Sequence, residues 1–237
     1  MKVVPWHIGV LVPARNEETL LPRCISSLLA ARERLPHNVT CDIVVAIDSS
    51  TDRSREIAEA LLGRNGTVVV VNARAVGTAR AVAAKVALER YAGSLKHCWL
   101  ANTDADCEVP THWLADHLGI ARQGVDAVAG IVDVDSFAEH DALVPERFRL
   151  SYQIHADGTH PHVHGANIGV RADAYLLSGG WPAIESAEDH GLWRRLRDSG
   201  HKPLSASKLR VTTSGRKIGR APHGFADALA AHNGTPV

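Results

Sequence analysis

Apolar residues in the first half of the chain arrive in short dense runs, each followed by a longer stretch of helical spacing. The run "HIGVLVPA", from His7, shows no polar alternation, as expected of a strand covered on both faces of a parallel sheet. Residues 19–34 then place apolar side chains at helical intervals. The exchange recurs, with a strand over Cys41–Asp48 and a helix over Asp52–Leu62, then a strand over Thr67–Val71 and a helix over Thr78–Tyr91. "HCWLANTDAD" reads as the fourth strand, Pro110–Arg122 as a helix and "DAVAGIVDV" as the fifth strand. This alternation predicts an α/β fold built on an open, doubly wound, mostly parallel sheet. Past Ser136 the rhythm loosens. A helix is expected between Glu139 and Tyr152, then a His-rich loop and strand through "HADGTHPHVHGANIGV". A short helix from Arg171, the turn "SGGWP", a helix over Ala187–Ser199 and two short strands, Lys202–Leu204 and Leu209–Thr213, complete the reading. With no repeat, low-complexity tract or linker, residues 1–237 are expected to form one domain with a smaller second subregion.

Composition narrows the function without choosing it. The 237 residues are 45% hydrophobic, enough for a substantial core. Lys plus Arg and Asp plus Glu number 26 each, so no global field recruits nucleic acid, and anion binding has to be local. No apolar run approaches the ~18 to 20 residues of a membrane span, and "MKVVPWHIGVLVPARNEE" turns polar too soon for a secretory signal, so a cytoplasmic location is expected. Cys24, Cys41, Cys98 and Cys107 lack C-x-x-C spacing, which predicts reduced thiols rather than a disulfide framework or zinc knuckle.

Ligands of open α/β sheets collect beyond the carboxyl ends of the strands, where Asn16, Glu17, Asp48, Asp104 and Asp106 fall. "VPARNEE", with Pro13, Arg15, Asn16 and Glu17, could cradle a polar ring or phosphate, or simply cap the next helix. It is neither a P-loop nor a G-x-G-x-x-G turn. Asp48 could accept the N–H of a uracil or guanine, or cap a helix, a task for which Ser50, Thr51 and Asp52 are better placed. Gly77 could admit a ligand close to the backbone or serve a turn, and Arg80 lies in the first helical turn, where phosphate is favoured. On an extended chain Asp104 and Asp106, flanking Ala105, would share a face roughly 6 to 7 Å apart. That pair suits Mg²⁺ or Mn²⁺ bound with substrate phosphates, against a simple turn role for an isolated D-x-D.

Taken in order over Ile8–Leu196, "VPARNEE", Asp48, "TDAD", "GANIGVRADAYLLSGGW" and "AEDHGLWRRL" resemble the family 2 glycosyltransferases of the GT-A, Rossmann-like fold. The resemblance implies a nucleotide-sugar-binding half at 1–108 and an acceptor-binding half at 109–237. It implies that Asp104 and Asp106 bind a divalent metal, Mn²⁺ or Mg²⁺, with the sugar nucleotide. By the same resemblance Asp48 contacts the base and Glu188 with Asp189 supplies the catalytic carboxylate. "GAN" looks like the acceptor-side segment, putting His164, Gly165 and Asn167 there, with Trp181 as a sugar-stacking or packing aromatic. Some GT-A enzymes use a C-terminal histidine as a further ligand, and His223 is the nearby candidate. The Q-x-x-R-W segment of processive synthases is absent, which favours transfer of a single sugar.

Other residues keep two readings. "SAED", Ser186–Asp189, matches a capping box, and a carboxylate there would also stay ionised as a base must. The histidines at 155, 160, 162 and 164 could bind metal, contact acceptor or stay neutral on the surface. The basic run through 202–220 is a solvated face or a lid whose Arg216 or Lys217 closes on a diphosphate. Trp193 is expected to pack. The expected function is metal-dependent, inverting transfer of one sugar from a nucleoside-diphosphate donor, of uridine or guanosine type, to a hydroxyl acceptor, small or lipid-linked. Alternatives are a retaining enzyme resembling glucosyl-3-phosphoglycerate synthase, a sugar nucleotidyltransferase, or a non-catalytic nucleotide-sugar-binding protein.

Overall fold

Strands with two apolar faces build the centre of the protein, whose computed structural model describes residues 5–222 and 224–234. In β1 (Trp6–Ala14) Ile8, Val10 and Val12 enter one core and Leu11 the other. In β2 (Val39–Asp48) Ile43, Val45 and Ile47 part from Val44 and Ala46 in the same way. With β3 (Gly66–Val71), β4 (Cys98–Asn102), β5 (Ala127–Val134), β6 (Ile168–Arg171) and β7 (Leu204–Thr213) they form a seven-stranded sheet ordered β3-β2-β1-β4-β6-β5-β7. Every pairing is parallel except those of β6, which runs antiparallel between β4 and β5.

Helices cover both faces, as the alternation predicts. The apolar stripes of α1 (Leu21–Glu33), α2 (Ser54–Leu62) and α4 (Trp113–Arg122) close one core. The other lies under α3 (Val76–Arg90), α6 (Ala172–Leu177) and α7 (Glu188–Asp198). Alanines 79, 83, 84 and 87 of α3 bring its axis close to the sheet, so close that a Cβ on Gly9 would sit 3.2 Å from that of Ala87. α5 (Val144–Ser151) and α8 (Phe225–Ala230) flank the carboxyl end, and α8 is an element the periodicity did not predict.

Three expectations need correction. The fourth strand stops at Asn102, whose amide donates to Ile168 O at 3.1 Å, and the chain then turns, with Cys107 N–H donating to Asp104 O at 3.0 Å. Asp104 and Asp106 therefore meet through a turn rather than through strand alternation. The two short strands near the carboxyl end are one, β7, whose pairing with β5 shifts register between Ala129 and Ile131. Gly130 makes room there, since a Cβ would lie 2.3 Å from Asn167 Nδ2. The His-rich segment is irregular, and only Ile168–Arg171 pairs in the sheet.

Candidate functional site

The carboxyl ends of β1, β2, β4 and β7 surround a cavity of about 150 Å³, lined by Pro13, Arg15, Glu17, Asp48, Arg74, Asp104, Ala105, Asp106, Thr213 and Arg216 among others. The turn after β4 brings ligand atoms of Asp104, Asp106 and Cys107 within 4.8 Å of one another. Its backbone is anchored from α1, where the Cys24 thiol donates to Asp104 O at 3.3 Å and Arg23 to Asp106 O at 3.1 Å. Burial pushes the thiols of Cys24 and Cys107 up, so both act as neutral packing groups; all four cysteines are free. Arg216 meets both Glu17 oxygens, at 2.9 and 2.7 Å, and Asp106 Oδ2 at 2.7 Å. Burial, with Asp104 and Glu17 nearby, pushes the Asp106 carboxyl up to about 7 against the opposing pull of Arg216. A hard divalent ion fits this donor set of carboxylate oxygens, provided that the guanidinium gives way.

Around the cavity several expected ligand contacts are spent inside the fold. Asp48, 4% exposed, accepts backbone N–H groups from Ala73 and Arg74 at Oδ1 and from Ala75 at Oδ2, all at 2.9 Å. Its carboxylate organises the loop leading into α3 and also lines the cavity. Asn16, in the left-handed region at φ 52°, accepts Thr51 N–H at 2.8 Å and ties the loop after β1 to that after β2. Gly77 does not face the cavity's ligand space: a Cβ there would lie 2.0 Å from Pro182 O, so packing against 182–184 excludes any side chain. Arg15 lines the cavity.

A second cavity, about 300 Å³, adjoins the first and shares Val76, Asp104, Thr213, Ala221, Gly224 and Phe225 with it. Glu188 and Asp189 open α7 at its floor. The expected capping box does not form: the N-cap is Ala187, with no side-chain bond, in the left-handed region at φ 58°. For a residue with a Cβ that conformation stores strain of about 1 kcal/mol or more. Asp189 accepts Gly165 N–H at 2.9 Å through Oδ2 and His190 N–H at 2.7 Å through Oδ1. Glu188 is 5% exposed, and burial raises its pKa while Arg80 draws it down.

Arg80 is the principal correction. It is 1% exposed, pairs with Asp104 and Glu188, and lies over the Trp181 ring with Cζ 5.2 Å from the centroid; it lines the second cavity rather than the first, with Nη1 unpartnered among the described residues. Trp181, 5% exposed under that guanidinium, lines neither cavity, and Trp193 packs against the same core. Asn167, fully buried, accepts from Trp113 Nε1 at 3.0 Å and donates to Ile131 O and Leu209 O at 2.9 Å each, leaving nothing for an acceptor. Gly165 and His164 do line the second cavity. His164 shares a 2.9 Å hydrogen bond with Tyr152 Oη, which also accepts Val132 N–H, and burial lowers its pKa to about 4. The rings of His160, His162 and His164 stack at 5.9 Å spacing, and among the described residues they form no converging metal group.

Lys217 is exposed, uses its backbone N–H on Glu139 and lines neither cavity, so only Arg216 of the expected lid pair reaches the site. His223 lies outside the described residues. Arg23, Tyr152, Thr213 and Phe225 went unread in the sequence; none sits in a motif, and only the closed fold brings Thr213 and Phe225 to the cavities, Arg23 to Asp106 O and Tyr152 to His164.

A family model for glycosyl transferase family 2 matches residues 9–176. Over 128 residues the chain is 32% identical to the undecaprenyl-phosphate 4-deoxy-4-formamido-L-arabinose transferase of Pseudomonas paraeruginosa, covering 53% of this chain and 35% of that protein. Over 117 residues it is 34% identical to the low-salt glycan biosynthesis hexosyltransferase Agl6 of Haloferax volcanii, covering 49% of this chain and 25% of that one. The chain thus spans well under half the length of these curated relatives. Among solved structures, S. aureus TarS 1-349 in complex with UDP-GlcNAc superposes at TM-score 0.66 and 17% identity, over 97% of this chain and 68% of that one. The mannosyltransferase PcManGT from Pyrobaculum calidifontis, in complex with GDP-Man and Mn²⁺, gives 0.64 at 17% identity over 92% and 61%. At these identities the likeness is one of fold, the GT-A fold. No helix among the described residues is long and apolar enough to cross a membrane. With its sheet, its motif residues at one sheet edge and a model match over more than half its length, the chain belongs to glycosyl transferase family 2.

Proposed function

We propose that the protein moves one sugar from a nucleoside-diphosphate donor to a hydroxyl acceptor, with inversion. The carrying observation is that two cavities meet at Asp104, one edged by Asp106 and Arg15, the other by Asp189. In this reading the donor lies in the first cavity, held mainly by residues 1–108, and the acceptor in the second, held mainly by 109–237, with Arg216 crossing between the halves. The acceptor oxygen forms its bond to the anomeric carbon as the bond from that carbon to the phosphate oxygen breaks. The electron pair leaves with the nucleoside diphosphate, and the hydroxyl proton passes to Asp189. Asp189 is better suited than Glu188, whose Oε1 is engaged by Arg80 at 3.1 Å. Asp189 accepts the proton as the alcohol acidifies in the transition state, an effect of about 10²- to 10⁴-fold. A divalent cation bound at Asp104 and Asp106 supplies neutralisation of the charge gathering on the departing diphosphate.

UDP-GlcNAc and GDP-Man bound in the structural neighbours support a donor of uridine or guanosine type, and Mn²⁺ in one of them supports the cation. The second cavity favours an acceptor uncharged at its reacting end. It carries Asp104, Glu188 and Asp189 beside apolar Val132, Val163 and Phe225; its one guanidinium, Arg80, is already paired with two carboxylates through Nε and Nη2. A phosphate acceptor, as the name of the Pseudomonas relative carries, would meet net negative charge among the described lining residues. The test pairs a thermal-shift series of UDP, GDP, CDP and dTDP with Mn²⁺ against transfer assays offering neutral alkyl glycosides or undecaprenyl phosphate. Asp189→Asn should keep nucleotide binding and lose turnover by about 10²-fold or more. Full turnover in Asp189→Asn, or a retained anomeric configuration by NMR coupling, would reject the mechanism.

A further inference from the structure

Tyr152 closes α5 with its ring 4.0 Å from that of His162 and nearly parallel to it, and with Phe148 at 5.1 Å. Its hydroxyl joins two other elements. Oη accepts Val132 N–H from β5 at 3.0 Å and lies 2.9 Å from His164 Nε2. Burial pushes the phenol of Tyr152 up and the imidazole of His164 down to about 4, so at neutral pH both are uncharged and each has one proton to place. The phenol oxygen already receives the amide proton of Val132. Donating its own proton to Nε2 pairs both donors, whereas a proton on Nε2 would compete for the same oxygen and send the phenol proton elsewhere. With Nε2 as acceptor, the imidazole proton belongs on Nδ1.

His164 lines the second cavity, as does Asp189. The residue after His164, Gly165, donates its N–H to Asp189 Oδ2 at 2.9 Å, so one step of backbone separates the imidazole from the peptide that holds the carboxylate. Each Asp189 oxygen has a lone pair beyond the amide it accepts.

We propose that Tyr152 is a positioning residue that fixes His164 as the Nδ1–H tautomer, and that this N–H and the Asp189 carboxylate together recognise two neighbouring oxygens of the acceptor. The inference rests on the transferase reading given above and adds a substrate class to it, a vicinal diol such as a sugar ring or polyol carries, rather than an isolated alcohol. The hydroxyl to be glycosylated donates to Asp189, and the oxygen beside it accepts from His164. An acceptor without that second oxygen leaves a half-buried N–H unpaired, and unpaired polar groups discriminate between substrates more sharply than apolar contacts do.

The first test needs no substrate. Long-range proton–nitrogen NMR correlations of His164, assigned by their loss in His164→Gln, should show Nδ1–H in the wild type and a shift toward Nε2–H in Tyr152→Phe, which keeps the stacked ring. An Nε2–H tautomer in the wild type, or the same tautomer in both proteins, overturns the positioning role. The second test titrates trans-cyclohexane-1,2-diol and cyclohexanol in the presence of Mn²⁺ and UDP or GDP, following the His164 resonances. The diol should bind at least about tenfold more tightly to the wild type, and the two should bind within about twofold of each other to Tyr152→Phe. Equal affinities in the wild type, or no response of His164 to either compound, overturns the acceptor class. A diol preference with no transfer from any UDP- or GDP-sugar would sink the transferase reading and leave the recognition pair standing. Turnover that Asp189→Asn abolishes, together with equal affinities for diol and alcohol, does the reverse.

Discussion

Arg80 Nε donates to Glu188 Oε1 at 3.1 Å, and the same guanidinium pairs with Asp104. One buried cation therefore joins the turn that edges the first cavity to the first residue of α7. Gly165 gives it room, since a Cβ there would lie 2.6 Å from Nη2, and the Trp181 face closes the other side. The carboxylates of both cavities are thus positioned by a shared partner, and what moves one is felt by the other.

Removing that partner strands two carboxylates. Arg80→Gln is expected to cost about 3 to 5 kcal/mol, the range for breaking a buried pair from one side, with Arg80→Lys recovering part of it. Urea unfolding at neutral pH checks this. A loss below about 1 kcal/mol, the value of an exposed pair, would mean that Arg80 is not the counter-ion described.

Asn167 is a structural clamp. Asn167→Ala orphans Trp113 Nε1 and two backbone carbonyls, for an expected loss of about 3 kcal/mol. The shift in Tm for UDP or GDP with Mn²⁺ should be the same as for the wild type. Unchanged stability with altered acceptor use would reassign Asn167 to the acceptor side.

Asp48 anchors three consecutive amides. Asp48→Ala should leave the sheet intact and raise hydrogen exchange at Ala73, Arg74 and Ala75 by about tenfold or more, relative to amides of α1. Exchange unchanged at these three amides would show the loop to be held by something else.

His164 makes stability depend on pH. Its pKa falls from 6.5 to about 4 on burial, so between those values the unfolded chain takes up a proton that the folded protein refuses. Stability from this group is complete above about pH 6.5 and is lost as pH falls toward about 4, by linkage. Between pH 7 and pH 5 the loss should be about 2 kcal/mol. Urea midpoints of wild type and His164→Gln across that interval supply the measurement, and parallel slopes in the two proteins would refute the assignment.

Much of the architecture is written locally. The unbroken apolar run His7–Ala14 predicts a strand buried on both faces, Cys41–Asp48 and Asp126–Val134 predict strands, and all three are found in the sheet. The same local reading fails where a neighbour distant in sequence decides. "SAED" has the spacing of a capping box, yet Ala187 is driven into the left-handed region and the carboxylates turn to Gly165 and Arg80. "TDAD" has strand alternation, yet the chain turns at Asp104.

From sequence alone come the α/β rhythm and the gathering of acidic residues at strand ends, because strand and helix periods are properties of neighbours along the chain. Which carboxylate meets which cation came only with the tertiary structure. Arg80 finds Glu188 across 108 positions and Arg216 finds Glu17 across 199, and no local spacing encodes either distance. The need to neutralise buried charge selects such partners, and burial itself exists only once the sheet has closed.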